Sequence, residues 1–580
     1  MDDIRARLRN LPFFSGLSAE TLNAIAEASN WQSLAGGWEV FAQGAQSDAL
    51  HINLTGRLIV VREGADGAGD EVVGYVRAGE PVGEMSVLSG ETHSASVYAL
   101  RDTELLTIPR KQVDWLINDH GDFAAALARI VLKRSRHPQE SFQQSSPRIF
   151  ALVATSPSID IDARVKELAK RIAKYKVNVA SFPCMDEPPE TSAFDKIENA
   201  NDVVLLATRL DGGPWYQFVT RHADRFLVLA RRDARPSKPF PLSTDAGARA
   251  RKFRLVDLVM LHEGAHSGRT GEWIDAIGAA RVINLRNDKC VDRLARIIAG
   301  KSVGLVLSGG GARAYAHIGA IQAMREAGVP IDFLCGASMG AVVAACVAMD
   351  WPQAEMEARI RDAFVSSNPL GDHVLPVVAL TRGGRVETRL EHHFGDMLIE
   401  NLPTTFFCVS SDIIDGSARV HNRGMLRNAL RASIALPGIL PPVIDDHALL
   451  VDGAVVNNFP TDIMTTTHRG VTIGVDVARE GVIDIEAFRD PPGFFTWVAN
   501  NGFGAAPPII SLLMRTATAR REHVVMPRPA DILIAPDVPG VELRDWKKYD
   551  DAVADGYRAT KAALEEHWSA LAPIISGANQ

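Results

Sequence analysis

No two of the five cysteines (Cys184, Cys290, Cys335, Cys346, Cys408) form a CxxC pair. Scattered singly, they give no zinc-site spacing and no disulfide framework, and they suit a reducing compartment. Positive charge is not in excess either. The 62 Lys and Arg stand against 70 Asp and Glu, for a net charge of −8, which argues against a general nucleic-acid binder. The N-terminus, MDDIRARLRNLPFF, puts charges where a signal peptide needs an apolar core. The charge-free stretch 491–514, PPGFFTWVANNGFGAAPPIISLLM, is too broken by proline and glycine to span a membrane. It reads as a loop-rich segment packed on the rest of the chain, or else as a surface that dips into lipid. No Walker A sequence occurs, and the glycine-rich GAHSGRTGEW (264–273) lacks the Gly-Lys-Ser/Thr ending. These absences point to a cytoplasmic protein with no metal or cofactor requirement.

What is present fills three segments of a multidomain chain. With 580 residues, 46% hydrophobic and 23% charged, the composition is globular and too long for one core. Residues 1–140 begin with LSAETLNAIAEAS, a helix capped by Ser18. Short alternating runs follow (WEVFAQG, ALHINLTGRLIVVREG, EVVGYVRAGE, SASVYALRDTELLTIP), separated by glycine-containing turns. They predict a small β-barrel or jelly roll. RKQVDWLINDHGDFAAALARIVLKRS then reads as helix, and PQESFQQSSP as a linker. Residues 148–299 alternate continuous apolar runs with helical stretches, such as DARVKELAKRIAKY with Val165, Leu168 and Ile172 on one face. That is the pattern of a parallel α/β domain. Residues 300–580 open as strand VGLVL, glycine loop SGGGAR, helix, strand IDFLCG and a second helix, again α/β with a mainly parallel sheet.

The second strand-to-helix junction reads Gly336-Ala337-Ser338-Met339-Gly340. GxSxG at such a junction is a nucleophile elbow, with Ser338 as the nucleophile. The flanking glycines answer crowding in a sharp turn, and the serine hydroxyl comes to the helix N-terminus, where the dipole favours negative charge. Three consecutive glycines (Gly309, Gly310, Gly311) end the preceding strand. Their N–H groups can converge on an anion, which beside an elbow would be a tetrahedral oxyanion. A dinucleotide fingerprint would need glycine at 314, where Ala314 stands. Arg313 is a candidate for an anionic head group or a loop cap.

The proton acceptor is less plain. A late histidine (His421, His447 or His523) would complete a conventional triad, but none carries a chemical signature. His317 reads as a packed helix residue. In LLVDGAVVNNFP, Asp452 ends an apolar strand before a glycine. This is where α/β sheets place functional groups, although a plain turn aspartate has the same appearance.

Taken in order, GGGAR, GASMG and DGA resemble the patatin-like phospholipases. The blocks LPVVALTRGGRVE and RASIALPGILPPV are similar to the neuropathy target esterase branch. The resemblance spans about residues 303–470. It implies Ser338 as nucleophile, Asp452 as its base in a dyad without histidine, Gly309, Gly310 and Gly311 as the oxyanion hole, and a phospholipid or lysophospholipid substrate met by peripheral membrane contact. A carboxylate with an ordinary value near 4 is a poor base, so the dyad needs a desolvated Asp452.

Residues 10–110 resemble a cyclic-nucleotide-binding domain through PFFSGLSAETLNAIA, FAQGAQSDALHINLTGRLIVV and VGEMSVLSGETHSASV. Gly83 and Glu84 match that family's ribose-binding Gly-Glu. The arginine expected to pair with the cyclic phosphate is replaced by His93, a weaker and mostly neutral partner. The leading expectation is a serine lipid hydrolase with no cofactor. The alternative is a cyclic-nucleotide-responsive sensor with a subordinate hydrolase.

Overall fold

The computed structural model describes residues 8–9, 11–63, 71–136, 147–236, 255–262, 269–367, 369–375, 377–478, 493–501, 530–541 and 545–579. They fall into two compact units. One comprises Met1–Ala169, Val177–Val259 and His266–Arg281; the other comprises Lys170–Lys176, Met260–Ala265 and Val282–Gln580. His523, the proposed linker and most of 491–514 lie outside the described residues.

The first unit begins with two four-stranded sheets. In one, Asn30–Leu34, Thr103–Pro109, Ala49–Thr55 and Pro81–Val82 lie side by side; in the other, Glu39–Phe41, Ser96–Ala99, Leu58–Arg62 and Glu71–Val76. The pairings are antiparallel, giving the expected jelly roll. Leu50, Ile52, Leu106 and Ile108 bury against Phe13, Phe14 and Phe123. Ser18 caps helix Ala19–Ala28 by accepting from the Thr21 N–H at 3.1 Å. The helix expected after residue 110 is in fact two, Arg110–Asp119 and Gly121–Arg136. The break turns Asp122 toward the Ser18 N–H (2.8 Å) and the Thr21 hydroxyl (2.7 Å), a tertiary contact that periodicity cannot foresee.

The continuous apolar runs of the middle segment form six strands. Their order is Val179–Phe182, Val203–Arg209, Ile149–Ala154, Arg225–Arg231, Leu255–Leu261 and Arg281–Leu285, with parallel pairing around Ile149–Ala154. Val165, Leu168 and Ile172 are buried as predicted. Arg101 and Arg57 of the jelly roll meet Asp224 and Glu198 of this sheet domain. Arg101 approaches Glu198 at 2.7 Å and Asp224 at 3.4 Å, and Arg57 approaches Asp224 at 3.7 Å. Asp224 also accepts the Arg148 and Ile149 N–H groups.

The second unit is built on an eight-stranded sheet: β1 (Ser302–Leu307), β2 (Phe333–Ala337), β3 (Thr405–Asp412), β4 (Ser417–His421), β5 (Val443–Asp445), β6 (Ala448–Asp452), β7 (Gly470–Val475) and β8 (Ile532–Ile534). The order is β5-β6-β3-β2-β1-β7-β8, with β4 also paired to β3. β3, β2, β1, β7 and β8 run parallel; β4, β5 and β6 are antiparallel additions. The helices that matter below are α1 (Ala316–Glu326), α2 (Met339–Ala348), α3 (Gln353–Ile360), α4 (Gly384–Phe394), α5 (Leu426–Ser433) and α6 (Tyr549–Glu566). Every residue of α2 is buried, as befits a helix that is apolar all round. α1 and α6 cross at paired glycines. A Cβ on Gly319 would fall 1.9 Å from the Val553 carbonyl, and one on Gly556 1.9 Å from the Ala316 carbonyl.

Candidate active site

Three chain segments leave the carboxyl ends of β1 and β2 and the end of β6 to meet at one point. Ser338 follows β2 with φ 53° and ψ −131°, a left-handed conformation that costs a non-glycine residue roughly 1–3 kcal/mol. The surroundings hold it there. Its N–H donates to Ser433 Oγ at 3.0 Å, and Ser433 in turn donates to the Val409 carbonyl at 2.7 Å. Neither flanking glycine has room for a side chain. A Cβ at Gly336 would lie 2.6 Å from Gly340 C, and one at Gly340 2.4 Å from the Leu307 and Ser308 carbonyls.

The Ser338 hydroxyl donates to Asp452 Oδ2 at 2.6 Å. The other carboxylate oxygen accepts the Ala454 N–H at 2.8 Å. The Asp452 backbone is fixed by its N–H to the Ala435 carbonyl (2.9 Å) and by Ser411 Oγ donating to its own carbonyl (2.9 Å). Asp452 is only 1% exposed. Burial raises its carboxyl from 3.8 to about 6, against the opposing pull of the Ser338 and Ala454 hydrogen bonds.

Among the described residues no imidazole bonds to either group. His421 pairs with Ser410 Oγ at 2.7 Å, one strand away from the carboxylate, and its burial lowers it to about 4. His447 is exposed in the β5–β6 turn. His317 is fully buried and neutral, lowered to about 4, and its Nε2–H donates to the Ser308 carbonyl at 2.8 Å. It therefore braces the glycine loop, a role beyond simple packing that its helical position does not reveal.

Gly309 packs directly on the nucleophile: a Cβ there would stand 2.9 Å from Ser338 Cβ and 2.5 Å from Asn458 Oδ1. Its N–H donates to the Asn458 carbonyl at 3.3 Å. Gly310 and Gly311 open a 3-10 helix, Gly311 with φ 57°, and the first N–H groups of such a turn have no partner within it. Arg313 Nε donates to the Val541 carbonyl at 2.9 Å, which ties the loop to the chain beyond β8.

A small apolar cavity lies along α2, lined among others by Val342, Cys346, Trp351, Leu390, Phe394 and Ile434. Val342 and Cys346 stand four and eight residues after Ser338, on one face of α2 and within about 12 Å along its axis. Ile434 follows Ser433, which holds the Ser338 N–H. Trp351 and Phe394 stack with centroids 5.5 Å apart.

Residues 305–465 match the patatin-like phospholipase family, and residues 31–120 match the cyclic nucleotide-binding domain. An uncharacterized NTE family protein of Mycobacterium tuberculosis is 31% identical over 97% of both chains.

This chain belongs to the NTE family.

Patatin-like phospholipase domain-containing protein 6 of Homo sapiens is 26% identical over 93% of this NTE family chain and 44% of that longer protein. Lysophospholipase nte1 of Aspergillus niger is 26% identical over 93% of this chain and 42% of its own length. The catalytic unit is thus a patatin-like phospholipase domain, and the jelly roll is a cyclic nucleotide-binding fold.

In that jelly roll, Gly83 adopts φ 85° before the short helix Glu84–Ser89. Glu84 is buried and accepts from Arg134 Nη1 at 2.6 Å. His93 stacks on Phe41 with centroids 3.7 Å apart, and burial lowers its imidazole. Sequence reading missed Arg134, Ser433 and Asn458. Ser433 lies inside the block RASIALPGILPPV that carried the family resemblance, but nothing local marks its contact with residue 338.

Proposed function

We propose that this chain hydrolyses fatty-acyl esters, most suitably those of lysophospholipids, through a Ser338–Asp452 dyad. The observation that carries the reading is the 2.6 Å hydrogen bond from a strained, positively-φ serine to a buried carboxylate. Ser338 Oγ attacks the ester carbonyl while Asp452 Oδ2 takes its proton. The carbonyl oxygen becomes an oxyanion, received by the N–H groups of Gly310 and Gly311 next to Gly309. Collapse of the intermediate breaks the ester C–O bond. The departing alkoxide takes the proton from Asp452, leaving an acyl-serine and a restored carboxylate. Water then repeats the sequence, Asp452 accepting its proton and returning it to Ser338. A carboxyl raised to about 6 is still ionised at neutral pH, yet is far more basic than an ordinary aspartate.

The cavity supports a lipid substrate. Its apolar lining on the nucleophile's own helix suits the end of an acyl chain, and the lysophospholipase naming of the Aspergillus niger relative agrees. The jelly roll supports a structural rather than a nucleotide-sensing role. Its ribose-type carboxylate Glu84 is already satisfied by Arg134, and His93 stands where a phosphate-binding arginine is expected.

The test is labelling with a fluorophosphonate together with fatty-acid release from lysophosphatidylcholine. Wild type should label and release fatty acid, and Ser338→Ala should do neither. Labelling that persists in Ser338→Ala, or a labelled enzyme that releases no fatty acid, refutes the reading.

A further inference from the structure

Large apolar side chains are exposed in two places joined to the dyad's own supports. The first is a hairpin between α3 and α4. Its base is closed by the Val374 N–H to the Leu380 carbonyl (3.0 Å) and a bridge between His373 and Thr381. Leu375, Val377 and Val378, at its tip, are 82%, 93% and 66% exposed. The hairpin is fastened where it matters: the Leu380 and Thr381 N–H groups donate to the Gly438 and Ile439 carbonyls at 2.9 and 3.2 Å. Those residues follow Ser433, which holds Ser338, and Ala435, which holds Asp452.

The second is the turn after β3. Val409 pairs with Ala337, the residue before the nucleophile. Because β3 is parallel to β2, Asp412 lies about 10 Å further along than the level of Ala337. Ile413 and Ile414 come next and are exposed, as is Ile444 on β5. Ile413 N–H bonds to the Leu449 carbonyl, and Leu449 pairs with Ile444. This group flanks β6, the strand that ends in Asp452.

We propose that these two apolar edges are the surface by which the catalytic unit docks on a phospholipid bilayer. The inference rests on the lipid-ester reading above and adds the element that meets the lipid, distinct from the 491–514 stretch first considered. Exposed side chains of this size gain by entering the acyl boundary of a bilayer, and water offers them nothing comparable. Arg382 and Arg385 are exposed at the foot of the hairpin. That places cations where headgroup phosphates would lie while apolar tips enter beneath them. No helix of the described residues is long and apolar enough to cross a membrane, so a surface of this kind supplies contact without a span.

The experiment is flotation of the full chain with vesicles of phosphatidylcholine containing phosphatidylglycerol, alongside hydrolysis of a water-soluble short-chain ester without vesicles. Wild type should float. The triple variant Leu375→Ser, Val377→Ser, Val378→Ser should lose at least about tenfold in vesicle affinity, since three large apolar side chains no longer enter the acyl boundary. It should hydrolyse the soluble ester at the wild-type rate. Ile413→Ser with Ile414→Ser should weaken flotation likewise. Wild type that stays unbound, or variants that float equally well, overturn the proposal. So does a wild-type dimer that the triple variant dissociates without any vesicle binding. A wild type that floats but cleaves no ester leaves the docking surface standing and sinks the hydrolase reading instead.

Discussion

Asp452→Asn should remove activity and stabilise the fold, and the pH profile of the wild type should show why. Burial holds the Asp452 carboxyl at about 6 instead of 3.8. As a base it must be ionised, so kcat/KM on a soluble ester should be about tenfold lower at pH 5 than on its neutral plateau. A carboxylate left at its ordinary value would lose less than about a tenth there. The stability sign follows from the raised value. This group's contribution to folding is complete below pH 3.8 and is lost as pH rises through about 6, because the buried group must ionise. Holding the charge at pH 8 costs about 3 kcal/mol. The neutral amide avoids that cost but forfeits part of the hydrogen bond from Ser338, about 1 kcal/mol. Asp452→Asn should therefore gain about 2 kcal/mol in denaturant unfolding at pH 8 and nothing at pH 4. Its kcat/KM should fall by at least about 10². A wild-type profile flat to pH 5, or an amide variant within tenfold of wild-type activity, would falsify the reasoning.

Three further outcomes are expected. Gly309→Ala places a methyl 2.9 Å from Ser338 Cβ and 2.5 Å from Asn458 Oδ1, so fluorophosphonate labelling and kcat should drop by about 10²-fold as the nucleophile is displaced, with a folding cost of about 1–3 kcal/mol visible in the melting curve. Cys346→Phe fills the cavity about two helical turns beyond the nucleophile; turnover of long-chain esters should fall relative to acetate esters, at a folding cost of about 1–3 kcal/mol. Cyclic AMP should show no saturable binding to wild type by calorimetry. Arg134→Ala combined with His93→Arg frees Glu84 and restores a cationic phosphate partner, and should gain ten- to a hundredfold or more in affinity.

Periodicity and turn chemistry located most strands, because alternation and unbroken apolar runs follow directly from whether one or both sheet faces are buried. GxSxG and the triple glycine were equally plain, since only a residue lacking Cβ fits contacts of 2.4–2.9 Å, as at Gly309, Gly336 and Gly340. The chain by itself thus determined a strained serine beside a glycine loop in a parallel sheet, and family resemblance named its acidic partner. Only the tertiary structure decided that Asp452, 114 residues away along the chain, lies 2.6 Å from Ser338. It also decided that His421 bonds elsewhere, that Ser433 and His317 brace the elbow and the glycine loop, and that Arg134 closes on Glu84. Those pairings depend on strand register and helix placement, which bring distant residues together without leaving any mark in the local sequence around either one.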